Sequence, residues 1–314
     1  MTSRRACSVP ASLSPSVVNW ARWRYCVAFL AVFLSTAAAG DQRMAGLPPS
    51  DASRPGASWP SSILVDVGDI ETRIESRSFW TLYRVDYRGG RIGIDAFGSH
   101  YGTVVSFPEI GFIGSGHTEN ENEQVLSLRI DIDGEEQLQP ADAIQAKSVR
   151  LHKRSRIRSL IVETDIVIEG DRIVEDVVLK ADAPTPVNRI YHFMHPWTPT
   201  ATEFAAERAD GEMISGAFNG QRDFKVDAPT RWSAVYDEPT GKGAVIIVLD
   251  TPEDEPWKTW YWDIDGRYRK HYLVTFLNQT VPPGRDFRYR VAIVPFAAEK
   301  ATWREEARRI GQTG

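Results

Sequence analysis

Residues 111–123 (GFIGSGHTENENE) gather more potential chemistry than any other stretch of the chain. Their glycines let the backbone turn sharply and approach a ligand closely. His117 and Glu119 are two apart, so in extended backbone both point to one face. A carboxylate that fixes an imidazole's tautomer makes a general base. The same two side chains are also a pair of ligands for a divalent metal, the one cofactor this pattern admits. Glu119, Glu121 and Glu123 alternate along the chain, and their mutual repulsion calls for a cation, an arginine partner or exposure.

Two further runs carry reactive side chains. In residues 188–197 (NRIYHFMHPW), a strand that stays regular up to Pro196 places Tyr191 and His195 on one face with Arg189 and Phe193. Residues 255–272 (EPWKTWYWDIDGRYRKHY) hold three tryptophans, three tyrosines and several cations. Aromatic faces stack on the apolar faces of sugar rings, and cations pair with uronate or sulfate groups. His117, Glu119, Tyr191 and His195 are therefore the expected catalytic residues. The expected substrate contacts are His100, Asn188, Arg189, Trp197, Trp260, Trp262, Arg267 and Tyr272. If His117, His195 and Tyr191 share one concave pocket an enzyme is favoured over a non-catalytic sugar-binding protein; if they lie on opposite sheets, the enzyme reading fails. A serine-nucleophile site has no support, because no G-x-S-x-G elbow occurs.

The elements that must hold these side chains read as strands. Runs 62–67, 79–87, 124–133, 148–154, 188–193, 231–236, 243–250, 269–278 and 286–295 are rich in Val, Ile, Tyr and Phe. Runs 159–169 and 171–180 form a long hairpin across Gly170. Gly89-Gly90, Asp133-Gly134 and Asp265-Gly266 mark other turns. One helix is expected, over 298–310. This pattern predicts an all-β fold: a large antiparallel two-sheet supersandwich with a short C-terminal helix.

Residues 1–39 read as a secretory signal, with four arginines, the apolar run CVAFLAVFL and an Ala-Ala-Ala end. The apolar run is well short of the roughly 20 residues that span a bilayer, so no membrane insertion is expected after cleavage. Residues 40–61 read as a linker or flexible arm, and 62–314 as a single β-sandwich domain. Both cysteines, Cys7 and Cys26, fall in the signal, so the mature chain has neither disulfide nor cysteine nucleophile. Loss of the signal's four arginines takes the net charge from −5 to −9, which argues against nucleic acid as a partner. The expected location is periplasmic or secreted.

The stretch 231–248 (RWSAVYDEPTGKGAVIIV), with the strand succession around it, resembles a strand–turn–strand unit of galactose-mutarotase-like sandwiches. That fold also occurs in polysaccharide lyases and other sugar-active enzymes. The resemblance implies a concave sheet facing a polysaccharide or oligosaccharide. A Tyr/His pair on such a sheet fits a lyase that cleaves a uronic-acid polysaccharide by β-elimination, with Arg189 or Asn188 neutralising the carboxylate. A sugar epimerase or mutarotase would use the same parts. A glycoside hydrolase would need two carboxylates, for which Glu119 with Asp263 or Asp265 are the candidates.

Overall fold

The computed structural model describes residues 55–95, 100–117, 119–264 and 266–314. All of them belong to one compact unit, Pro49–Gly314. The expected signal, most of the expected linker and Asp265 lie outside the described residues.

Alternation of apolar and polar residues builds the long strands. In Arg172–Ala181 every second residue is buried, so Ile173, Val177 and Leu179 face inward. This strand pairs in unbroken register with Leu160–Glu169 across Gly170, whose φ of +59° favours glycine. Ten strands form the sheet that contains this hairpin, and eleven form a second sheet. Pairing is antiparallel throughout the described strands except where Ser62–Val67 runs parallel to Ala143–Ala146. The all-β supersandwich expected from the sequence is the fold observed.

The two sheets bury a common core. Ile63, Val65, Val105, Tyr261 and Leu273 of the larger sheet meet Leu151, Val162, Ile166, Tyr289 and Val291 of the smaller one. The helix is shorter than its expected 298–310 range and spans Trp303–Gly311. Its Trp303, Ala307 and Ile310 cover Trp232, Tyr236, Val245, Ile247 and Phe296 on the outer face of the ten-stranded sheet. The outer face of the eleven-stranded sheet carries a separate small cluster around Val104, Tyr191, Met194, Trp260 and Val274. No helix among the described residues is long and apolar enough to cross a membrane.

Candidate functional site

Six neighbouring strands of the larger sheet position the side chains of interest. From the edge inward they run Phe224–Ala228, Trp257–Ile264, Tyr268–Thr275, Arg189–Trp197, Gly102–Phe107 and Gly111–Ile113. Strand parity sorts their residues: Tyr261, Leu273, Ile190 and Val105 enter the core, while Trp260, Tyr191, Val104 and Val274 point outward. The outward aromatics form a continuous band across the strands. Phe224 lies 4.4 Å from Trp260, Trp260 6.1 Å from Tyr191, and Tyr191 4.4 Å from Tyr272, between ring centroids. Phe112 continues the band, 5.8 Å from Tyr191 and 5.5 Å from His117, and His100 stacks on His117 at 3.8 Å.

The turn before His117 depends on its glycines. Gly114 has φ +120°, and a Cβ there would stand 2.7 Å from the Thr103 carbonyl oxygen. The His117 backbone N–H donates to the Gly114 carbonyl at 2.8 Å and closes the turn. The His117 ring Nδ1 lies 2.7 Å from Glu119 Oε1, as the spacing predicted. The three alternating acids separate rather than share a face. Glu119 holds His117, and Glu121 pairs with Arg158 at the surface. Glu123 is buried, accepting the Ser115 N–H at 2.8 Å and the Lys153 ammonium at 2.8 Å. Lys153 also donates to the Phe79 carbonyl, so a buried ion pair props the turn that presents His117.

Burial sets the protonation states. Burial, with His117 and Lys270 adding to it and Glu119 opposing, lowers the His100 pKa from 6.5 to about 3. It also lowers His117, against the opposing hydrogen bond and charge of Glu119. Burial pushes the Glu119 carboxyl up, but the His117 hydrogen bond, a backbone hydrogen bond and the His117 and His100 charges together outweigh it and leave that pKa lowered. Burial raises Tyr191, with the adjacent Arg189 cation opposing. Near neutral pH the face therefore offers neutral imidazoles as proton acceptors and a protonated phenol as donor. The Arg189 guanidinium donates to the Tyr191 hydroxyl at 3.3 Å.

His195 does not join Tyr191. The strand is bulged between Tyr191 and Met194, and Phe193 takes a φ of +49°. The extra residue inverts the parity, so Met194 points outward and His195 faces the core. There His195 is fully buried, with its Nε2 2.9 Å from Glu175 Oε1. The approach is not a well-aligned hydrogen bond, since both atoms lack a partner of acceptable geometry. Trp197 is also fully buried, stacked 5.5 Å from the His195 ring. Neither residue can reach a ligand on the outer face. Asn188 donates to the Phe107 carbonyl at 3.2 Å, which occupies its amide in holding strands together. Asp263 is buried, accepts the Asn219 and Gly220 N–H groups and forms an ion pair with the Arg269 guanidinium. As a committed structural acceptor it is no partner for Glu119 across a cleft.

His100, His117, Glu119, Arg189, Tyr191, Trp260 and Tyr272 are thus gathered at one face. Trp262 extends it at the edge, 4.7 Å from Phe224, and Arg267 is exposed on the turn beside Tyr268. Lys270, Phe112 and Phe224 belong to the same face, although the sequence reading did not select them. The signal for Lys270 was parity: it stands two residues from both Tyr268 and Tyr272. Among the described residues no three of His, Cys, Asp and Glu converge in a way that could hold a metal ion. The His117–Glu119 dyad stands there as two donors only.

No protein-family model matches the chain, and no curated protein sequence matches it. Solved structures do match in fold. The alpha-N-acetylgalactosaminidase of Bifidobacterium bifidum, in its Gal-NHAc-DNJ complex, aligns with a TM-score of 0.52 at 12% identity. The alignment covers 80% of this chain and 39% of that one, so the likeness concerns well under half of the glycosidase. A putative aldose 1-epimerase of Escherichia coli aligns at TM-score 0.42 and 11% identity, over 75% of this chain and 99% of that one. Heparinase III aligns at 0.44 and 10%, over 76% and 34%. The likeness to the glycosidase, at 12% identity, is one of fold alone.

Proposed function

We propose that the chain is a carbohydrate-active enzyme that cleaves a uronic-acid polysaccharide by β-elimination. One observation carries the reading: a His117–Glu119 dyad and Tyr191 lie on either side of Phe112 on one aromatic sheet face. With its Nδ1–H donating to Glu119, His117 keeps the Nε2 lone pair free to take the proton from C5 of a uronate. The C5 electron pair forms the C4–C5 double bond as the C4–O4 bond breaks. Tyr191, kept protonated by burial, gives its proton to the departing oxygen. The aromatic band supplies stacking surface for successive sugar rings. The fold likeness to carbohydrate-active proteins fits this reading, but the assignment rests on the side chains. Export directed by residues 1–39 belongs to the same proposal, since polysaccharides of this kind lie outside the cytoplasm.

The test is incubation of the mature protein with glucuronate, galacturonate and mannuronate polymers, following the absorbance of unsaturated products. Product from one polymer, lost in His117→Ala, is the expected result. Retention of a polymer without unsaturated product would sink the lyase assignment and leave a binding face.

A further inference from the structure

We propose that Lys270 is the residue that recognises the acidic group, its ammonium receiving the carboxylate of a uronate sugar laid across the aromatic band. The inference rests on the proposed function and deepens it, moving the carboxylate contact away from Asn188. Three cations of the described residues are nearly fully buried: Lys153, Arg269 and Lys270. Lys153 has Glu123 and Arg269 has Asp263 as ion-pair partners. Lys270, 3% exposed, has no carboxylate partner among the described residues. Its neighbours are the rings of Tyr268 and Tyr272, whose centroids lie 5.2 Å and 5.7 Å from Nζ.

A buried ammonium without a counter-ion is unfavourable, and ring quadrupoles compensate only part of the lost hydration. The deficit shows in its acidity, since burial, with the Arg267 charge adding to it, lowers the Lys270 pKa to about 7. The fold holds such a group only at a cost, which an incoming anion removes. The position fits the chemistry. Lys270 lies against Tyr272, which packs on Tyr191 and through it on Phe112, so an anion held by it sits on the same aromatic band as the His117–Glu119 dyad. Arg189, also without an acidic partner among the described residues, reinforces the positive field from beyond Tyr191. A carboxylate neutralised there acidifies the adjacent C5–H, the proton that His117 must take.

The test is calorimetric binding to His117→Ala protein, in which turnover is expected to be lost. The probes are tetragalacturonate, tetraglucuronate, their methyl esters and a sulfated neutral tetrasaccharide. The expected result is that a uronate tetramer binds about 10- to 100-fold more tightly than its ester, and that adding Lys270→Met erases this difference. Lys270→Arg should restore part of it. Equal weakening of acid and ester, no preference for the acid, or preference for the sulfated probe overturns the assignment to Lys270. Binding of neutral sugar alone would overturn only that assignment. Binding of no saccharide, with no product from any polymer, would overturn the proposed function along with it. Should Lys270→Met fail to fold, amine-reactive labelling of the His117→Ala protein decides: the uronate tetramer should protect Lys270 and its ester should not, and equal labelling refutes the proposal.

Discussion

Lys153→Met is expected to destabilise the protein strongly although it lies outside the proposed reaction. Lys153 and Glu123 side chains are 4% and 2% exposed and stand 2.8 Å apart. The substitution removes that ion pair and the hydrogen bond to the Phe79 carbonyl. It leaves the Glu123 carboxylate buried with the Ser115 N–H as its remaining partner. Removing one member of a buried pair costs about 3–5 kcal/mol. For a domain of this size that corresponds to a fall of about 10 °C in Tm. Adding Glu123→Leu removes the stranded charge, and the remaining loss should be about 1–3 kcal/mol for the orphaned Ser115 N–H. Urea unfolding followed by circular dichroism measures both variants. A double variant no more stable than the single one, or a single loss below about 1 kcal/mol, the range of an exposed pair, would refute the reasoning. Arg158→Ala, which breaks the surface pair with Glu121, serves as control and should leave the unfolding midpoint unchanged.

Other outcomes follow from the same geometry. His117→Ala should abolish turnover with an unfolding midpoint near that of the parent, and a protein that fails to fold would mark His117 as structural. Glu119 raises the His117 pKa, so Glu119→Gln should move the acid limb of kcat/KM to lower pH, read from a pH–rate profile. Burial lowers His192 and His271 from 6.5 to about 3, so the unfolded chain binds more protons between these values. Stability is then complete above pH 6.5 and falls on acidification towards pH 3, by up to about 1.4 kcal/mol per pH unit for each histidine. Urea midpoints across that window should show the slope, and His192→Phe should lessen it. Trp262→Ala should weaken polysaccharide retention about 2- to 10-fold in affinity electrophoresis, as loss of one stacking ring implies.

Much of the sandwich was legible because its long strands are half-exposed on a regular pleat. The 160–181 hairpin declares itself by alternation and a glycine. Gly102–Phe107 does not, since all six of its residues are buried and no period of two survives. The His117–Glu119 pair was legible because two residues of local chain suffice to place it. The Tyr191/His195 pair failed for a physical reason: parity holds only while the ladder is regular, and the bulge at Phe193 has no glycine to announce it. Glu175 could not be assigned from sequence, because its partner lies on a strand of the other sheet and is brought to it by packing. Lys270 was hidden within a basic run, where a solvated cation and a buried one look alike.

The C-terminal helix gives the two outer faces of the sandwich different histories during synthesis. Trp232, Tyr236, Val245, Ile247 and Phe296 are all translated before the Trp303–Gly311 segment that covers them. Until that segment leaves the ribosome, the ten-stranded sheet presents an apolar surface to whatever is nearby. The face bearing the candidate site needs no such cover. A chain stopped before Trp303 would therefore keep every proposed catalytic residue and still be prone to stick to its neighbours.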